Sequence, residues 1–282
     1  MEHGSLQSAA EETSELLASY FRERVLPHPL LAPVLPEAAV CVTGSVALGV
    51  WDERSDFNLR WILPDEEHAA LAARLEQEGL WEPASDSRLR IVDREPFRRY
   101  PGVELLLLSQ SQVRQELRFD LPVSLWVYTH SEVYQDPHQT LAALVAEAEE
   151  RFQRDLGNLR CEHYYRFRQA RSGLISPIMP RRLNTVLAMK RGDAVREALR
   201  LAFLADGKPY PYDKWLEVAA ERETQCGSGI VTAVRALIAA REPESIERAG
   251  KVLRDRVAFA LQQGGVSEPW LEQWWLWPSI AP

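Results

Sequence analysis

The sequence predicts an α+β protein, in which a small mixed β-sheet is followed by a bundle of helices. In the first half, short apolar runs rich in Val, Leu and Ile alternate with helical patterns, whereas helical periodicity alone dominates after about residue 138. The pair Asp136-Pro137 separates the two patterns. We therefore expect an α/β domain over residues 1–136 and a helical domain over residues 137–282.

The first predicted helix covers residues 8–26. Its apolar side chains recur at spacings of three and four residues, at Leu16, Leu17, Tyr20 and Phe21. The prolines at positions 27 and 29 end this helix, because proline cannot continue it.

Five short segments of the first half are predicted to be strands. The clearest is 57–63, in which large apolar residues alternate with Asn58 and Arg60, and the most apolar is 103–108, which we place at the centre of the sheet. The predicted strands are residues 38–43, 57–63, 89–92, 103–108 and 125–129. Short helices are predicted at 46–50, 66–78 and 109–116, with Asp65 as the cap of the second.

The second half is predicted to be helical throughout. Each segment carries apolar residues at helical spacing. The predicted helices are residues 141–152, 161–171, 181–190, 193–205, 215–220, 229–240 and 245–262. A segment with four Trp residues, 270–277, follows them and is predicted to pack into a groove.

Composition restricts the classes of partner and the cellular location. The net charge of −8 excludes a general nucleic-acid-binding surface, which needs clustered Lys and Arg, but leaves room for one nucleotide. The three cysteines, Cys41, Cys161 and Cys226, lack the spacing of a zinc site and are predicted to be free thiols. No apolar run approaches the roughly 20 residues of a membrane span, and the acidic N-terminus lacks a secretory signal. We expect a cytoplasmic protein without membrane contact.

The segment with the most chemical information is residues 43–59. A strand ends at Gly44-Ser45 and a helix is predicted to begin at once, so that backbone N–H groups and the Ser45 hydroxyl are available to an anion such as phosphate. Asp56 and Asn58 follow on the next predicted strand, where alternate residues face the same way. Their oxygen atoms suit Mg²⁺, which bridges protein to phosphate.

This segment resembles the signature of the DNA polymerase β-like nucleotidyltransferase superfamily. That pattern is a Gly-Ser pair, a small residue, a Gly and an ending Ser-Asp-x-Asp, which stands here as Gly44-Ser45, Ala47, Gly49 and Ser55-Asp56-Phe57-Asn58. The resemblance implies that Gly44 and Ser45 hold the phosphates of ATP or another nucleoside triphosphate, and that Mg²⁺ is the cofactor.

The same resemblance implies a third carboxylate on a later strand. Glu104, at the start of the apolar run, is our candidate, because a charged residue at the edge of a buried strand needs a partner or a metal. Asp93 and Asp120 are the alternatives. The resemblance implies that Asp56, Asn58 and Glu104 bind the metal, and that Glu104 takes the proton of the acceptor hydroxyl.

A second resemblance lies in the helical half. An Arg-rich helix at 196–204, a Pro-Tyr turn and then Lys214-Trp215-Leu216 are similar to the C-terminal domain of bacterial proteins related to antibiotic adenylyltransferases. The resemblance implies that Lys214 meets nucleotide phosphates and neutralises charge during transfer, with help from Arg200 or Lys190. It also implies a small-molecule acceptor, for which the acidic composition suggests a cation.

Asn58 departs from the superfamily pattern, which has Asp at this position. An Asn supplies a neutral oxygen, so metal ions in the site lose part of their charge compensation. The first hypothesis is an enzyme that transfers AMP or another NMP to a hydroxyl of a small molecule. The alternatives are a catalytically weak nucleotide-binding or regulatory protein of the same fold, and an interaction protein of the toxin–antitoxin type or another type, whose contact surface is the Trp-rich segment.

Overall fold

The computed structural model describes residues 14–51, 54–80, 82–83, 89–93, 103–175, 184–267 and 270–276. It divides into two compact units, Met1–Glu149 and Glu150–Pro282. The strands are β1 (Ala39–Thr43), β2 (Phe57–Leu63), β3 (Glu82–Pro83), β4 (Leu89–Asp93), β5 (Val103–Ser109) and β6 (Glu132–Gln135). The helices are α1 (14–20), α2 (Asp65–Gln77), α3 (Gln110–Phe119), α4 (Leu121–Thr129), α5 (Thr140–Ile175), α6 (Asn184–Ala205), α7 (Asp213–Glu223), α8 (Gly227–Ala239) and α9 (Pro243–Gln263).

The six strands form one mixed sheet in the order β3-β4-β5-β2-β1-β6. β2 and β5 are parallel neighbours, and every other neighbouring pair is antiparallel. This sheet, followed by helices, confirms the predicted α+β class. The edge strands β3 and β6 were not predicted, since β3 has two residues and β6 only four.

One face of the sheet carries the core of the first unit. Phe57, Leu59 and Trp61 are fully buried on alternate positions of β2, as their spacing predicts. α1 packs on this face and continues into one π-helical turn, Phe21–Val25, in which the Phe21 ring stacks on Trp61 with ring centres 5.8 Å apart. The part of the predicted first helix before residue 14 lies outside the described residues.

The predicted strand at 125–129 is wrong, because these residues belong to helix α4. Pro122 lies in the first turn of that helix, where proline is tolerated and its fixed φ favours helical backbone. Leu125, Trp126 and Tyr128 are all buried. A helix with apolar residues on every side has no polar stripe, so its apolar run is indistinguishable from that of a buried strand.

Asp65 does not cap α2 as predicted, because it is the first residue of that helix and Pro64 holds the cap position. Its carboxylate instead accepts hydrogen bonds from the amide of Ser111 at 3.0 Å and from the Ser111 hydroxyl at 2.6 Å. Asp65 therefore links the start of α2 to the first turn of α3.

The two hydrogen bonds from Ser111 lower the pKa of Asp65 below its ordinary value of 3.8. A lowered pKa stabilises the fold above the unfolded pKa, and this stabilisation is lost as pH falls through the folded pKa. We expect Asp65→Asn to lower the free energy of unfolding by no more than about 1 kcal/mol near neutral pH, because the site is exposed. Urea denaturation should show that this difference from wild type has vanished at about pH 2; an equal difference at both pH values would contradict the assignment.

The second half of the chain is helical, as predicted, but with fewer and longer helices. The predicted helices 141–152 and 161–171 form the single helix α5, and 193–205 belongs to α6, which begins at Asn184. Residues 181–183 lie outside the described part. The predicted domain boundary precedes α5, whereas the contacts divide the chain within α5, between Glu149 and Glu150.

Two predictions from composition can be compared with the structure. Cys41, Cys161 and Cys226 are all free, and burial raises the pKa of the Cys41 thiol to about 11, so this thiol is not reactive at neutral pH. Within the described ranges, no helix is both long and apolar enough to cross a bilayer.

Candidate functional site

The Gly44-Ser45 corner directly follows β1. Gly44 has a φ of +77° and Gly49 a φ of +64°, values that favour glycine. Between them the chain makes successive turns, with hydrogen bonds from Leu48 N to Gly44 O at 3.2 Å and from Val50 N to Ser45 O at 3.0 Å. The helix predicted at 46–50 is therefore wrong, because a left-handed residue at Gly49 ends a helix as soon as it starts.

The turns leave several donors available. The backbone N–H groups of Ser45, Val46 and Ala47 donate to no acceptor among the described residues, and neither does the Ser45 hydroxyl. Consecutive free N–H groups in a turn form a concave site for an anion without any helix. Ser45 is 8% exposed, so these donors lie at the edge of the packed core.

The strand register brings three predicted site residues to one end of the sheet. Asn58 on β2 is the direct partner of Thr43 on β1 and also of Glu104 on β5. Neighbouring strands are about 4.8 Å apart and directly paired residues face the same side. The Gly44 corner, Asn58 and Glu104 therefore belong to adjacent strands at the same level.

Asp56 lies just before β2 rather than on it, and its side chain is exposed. The Asn58 amide nitrogen donates to the backbone oxygen of Asp56 at 3.4 Å, which turns the amide oxygen of Asn58 away from that contact. The Asp56 carboxylate makes no ion pair with any residue in the described ranges. It is thus available to a cation.

The side chains of Asp56, Asn58 and Glu104 have the chemistry of magnesium ligands. Asp56 and Glu104 supply carboxylates and Asn58 supplies an amide oxygen, all of which are ligands that Mg²⁺ accepts. Among the described residues, no group of three His, Cys, Asp or Glu is placed to hold a metal, and the middle member of this set is Asn58. The set therefore offers two negative charges and one neutral oxygen.

Gly44 lies close to the Asn58 side chain, so a side chain added at Gly44 tests the proposed site. A Cβ on Gly44 would lie 3.3 Å from the Asn58 amide nitrogen, whereas a Cβ on Gly79, which also has positive φ, would meet nothing within 4 Å. We expect Gly44→Ala and Gly79→Ala to cost a similar 1–2 kcal/mol, roughly, for the left-handed backbone. Only Gly44→Ala should also weaken binding of ATP with Mg²⁺, measured by calorimetry; equal ATP affinity in the two variants would contradict the assigned site.

A buried polar cluster lies beyond Asn58 on the same face of β2, and sequence reasoning missed it. Arg60 donates through Nη1 to Glu116 Oε2 and to the Tyr128 hydroxyl, both at 2.8 Å, and Tyr128 donates to Glu116 at 2.8 Å. Burial by itself would lower the pKa of Arg60, but Tyr128 and Glu116 raise it, so the guanidinium stays charged. The signal available in the sequence was Arg60 itself, a charged residue inside an apolar strand.

This cluster closes the inner part of that face. Arg60 lies on β2, Glu116 on α3 and Tyr128 on α4. The hydrogen bonds among these three side chains therefore join both helices to the sheet. Helices α3 and α4 cover this face of β2 at Arg60. Asn58, whose amide oxygen is a candidate metal ligand, lies two residues nearer the end of the strand.

The basic residues predicted in the helical half lie in the second unit. Lys214 is exposed in the first turn of α7, with Nζ 4.9 Å from the centre of the neighbouring Trp215 ring. Arg200 pairs with Glu197 at 3.5 Å and with Asp213 at 3.3 Å. Lys190 is partly exposed on α6. Their roles in nucleotide binding stay predictions.

The two alternatives to Glu104 lie elsewhere. Asp93 on β4 pairs with Val103 in the sheet, and the structure describes the backbone of Asp93 but not its side chain. Asp120 stands between α3 and α4 and caps both. Of the three acids, the sheet register places Glu104 opposite Asn58.

Comparison with known proteins finds similar solved structures but no family model and no curated relative. No protein-family model matches the sequence, and no curated protein matches it. Among solved structures, a nucleotidyltransferase-like protein from Exiguobacterium sibiricum 255-15 is similar over 89% of this chain and 77% of that chain, with 12% identity and a TM-score of 0.41. Because a likeness of this size carries no functional argument, the function is argued from the residues at the end of the sheet.

Proposed function

We propose that the first unit binds a nucleoside triphosphate with Mg²⁺, and that the protein transfers the nucleoside monophosphate to a hydroxyl of a small molecule. The observation that supports this most is the register of Asn58, which pairs with Thr43 on one side and Glu104 on the other. In this register a turn with free N–H groups, the Asn58 amide and the Glu104 carboxylate belong to three adjacent strands, and Asp56 immediately precedes the middle strand. Phosphate donors and metal ligands are the two parts that such a transfer needs.

In this proposal the turn after β1 holds the phosphates. The N–H groups of Ser45, Val46 and Ala47 donate to phosphate oxygens, and Gly44 lets the backbone approach closely. Asp56, Asn58 and Glu104 would hold the ion, and a bound ion would neutralise negative charge on the triphosphate. The proposal thus assigns triphosphate binding mainly to backbone groups.

In this proposal, transfer of the nucleoside monophosphate depends on the relative positions of the acceptor hydroxyl and the α-phosphate. The acceptor hydroxyl oxygen forms a bond to the α-phosphorus, the bond from that phosphorus to the bridging oxygen breaks, and pyrophosphate leaves with the electron pair. Glu104 takes the hydroxyl proton, since it is a carboxylate at the same level as the metal ligands. ATP as the preferred nucleotide and a cationic acceptor are further parts of the proposal, suggested by the resemblance and the net charge of −8.

A second candidate function is nucleotide binding with little or no transfer. Asn58 favours it, because a neutral oxygen in the middle of the ligand set lowers the charge available to metal ions. In this case the phosphate turn and Asp56 retain nucleotide, while the acceptor hydroxyl is poorly activated.

Two measurements test the proposal. Calorimetry should show a saturable component of ATP binding that requires Mg²⁺ and is lost in EDTA. A radiolabelled AMP-transfer assay over a panel of hydroxyl compounds should show at least about tenfold faster transfer by Asn58→Asp, which corresponds to about 1.4 kcal/mol in the barrier. Slow transfer by wild type that this substitution accelerates supports the enzyme, and ATP binding without transfer by either protein supports the second candidate. Absence of Mg²⁺-dependent ATP binding contradicts both.

A further inference from the structure

Two arginines of α5 form no ion pair with a carboxylate among the residues that the structure describes. Arg168 and Arg171 are three residues apart, on one face of the helix, and both are partly buried. Arg168 Nη1 donates to the Tyr164 hydroxyl at 3.0 Å and to Leu271 O at 3.4 Å, and Arg171 Nε donates to Gly250 O at 3.3 Å. Neither guanidinium makes an ion pair with a carboxylate in the part of the chain that the structure describes.

A third arginine lies beside them. Arg254 is one turn beyond Gly250 on α9, on the same helix face, and pairs with Asp255 at 2.5 Å. The pKa of Arg171 is lowered by burial and then by the positive charges of Arg254 and Arg168, while Asp255 and Glu247 oppose this shift. Three guanidinium groups thus lie near two carboxylates, Asp255 and Glu247, of which Asp255 is already paired with Arg254.

Clustered cations of this kind are unfavourable without an anion. Partly buried arginines are normally paired with carboxylates, because desolvating a charge has a cost that an opposite charge offsets. The chain as a whole has a net charge of −8, so this local excess of positive charge is not a consequence of composition.

Aromatic rings line the same cluster. The Trp274 ring lies 5.2 Å from the Arg168 guanidinium carbon, and the neighbouring Trp275 is 57% exposed, with the two indole centres 6.1 Å apart. Arg168 Nε and Trp270 Nε1 are buried donors that have no acceptor among the described residues. Exposed indoles beside guanidinium groups can stack a planar base while the guanidinium groups bind phosphate.

We propose that this arginine–tryptophan cluster is a second ligand site, which binds a nucleoside phosphate without a metal ion. The cluster comprises Arg168, Arg171, Arg254, Trp274 and Trp275. The guanidinium groups bind the phosphate and supply the charge that Mg²⁺ would supply elsewhere. The exposed face of Trp275 stacks on the base.

The test uses AMP as the probe, titrated by calorimetry in EDTA against the full-length chain. Wild type should bind AMP saturably, and inorganic phosphate should bind more weakly. Trp275→Ala and Arg171→Gln should each weaken AMP binding at least about tenfold, since stacking and charge-assisted bonds contribute about 1–3 kcal/mol each. Trp275 is exposed, so its removal should leave the fold intact, and thermal melting of both variants checks this.

Two controls separate this site from the sheet site. Phe259→Ala removes an apolar side chain on α9 that is 50% exposed and should leave AMP binding within about twofold of wild type. Asp56→Ala should do the same, because Asp56 belongs to the Mg²⁺ site. No saturable AMP binding in EDTA, or binding unchanged in Trp275→Ala, overturns this inference and leaves the proposed function standing. AMP binding that is lost in Asp56→Ala also overturns it, by placing the ligand at the sheet.

Discussion

Replacing Glu197 by alanine is expected to lower the free energy of unfolding by about 3–5 kcal/mol, the cost of breaking a buried ion pair. Glu197 is 6% exposed and holds two partners, His163 Nδ1 at 2.5 Å and Arg200 Nη1 at 3.5 Å. His163 also contacts the Tyr210 hydroxyl through Nε2 at 2.9 Å, and the Arg200 guanidinium lies 5.1 Å from the centre of the Tyr210 ring. Removing the carboxylate leaves the buried imidazole without this partner and leaves Arg200 with Asp213 as its remaining carboxylate.

Glu221→Ala is the matched control for this prediction. Glu221 pairs with Arg235 at 3.0 Å, but the side chains are 39% and 54% exposed. A surface pair of this kind contributes little to stability, because solvent screens both charges. Urea denaturation followed by circular dichroism measures both variants, and similar small losses in the two would show that the Glu197 network does not stabilise the helical unit.

Replacing Asp56 by alanine is expected to weaken binding of ATP with Mg²⁺ at least about hundredfold, or about 2.8 kcal/mol. Asp56 is an exposed carboxylate without an ion pair to any described residue, and it lies two residues before Asn58. Removing one of only two carboxylates in the ligand set removes about half of the negative charge that holds the ion.

Because Asp56 is exposed, a change in ATP binding by this variant can be separated from a change in stability. Loss of an exposed side chain changes stability by about 0.5 kcal/mol or less, so the variant should melt like wild type. Glu76→Ala, which removes an exposed carboxylate on α2, is the control and should bind ATP normally. Equal ATP affinity in the Asp56 and Glu76 variants would show that Asp56 does not hold the ion.

The strands of the sheet centre were predictable because their patterns are unambiguous. Large apolar residues alternate through 57–63, and 103–108 is apolar on both faces, which the structure confirms as neighbouring strands β2 and β5. The α4 helix was missed because Leu125, Trp126 and Tyr128 carry no helical stripe. β6 was missed because four residues give too little pattern.

The candidate site was only partly predictable. The motif placed Gly44, Ser45, Asp56 and Asn58 close together along the chain, but Glu104 lies 46 positions after Asn58, and periodicity contains no information about register. The pairing of Asn58 with Glu104 appears only in the folded sheet. Likewise, the Arg60 cluster needs helices α3 and α4 to return to β2, which no local pattern reports.

The most direct test is anomalous diffraction from crystals of the chain soaked with ATP and Mn²⁺, an ion that takes the same oxygen ligands as Mg²⁺. The proposed site predicts an anomalous peak about 2–2.5 Å from a carboxylate oxygen of Asp56 and of Glu104, with the triphosphate against the amides of Ser45, Val46 and Ala47. No triphosphate against these amides, or a peak that contacts neither Asp56 nor Glu104, would contradict it.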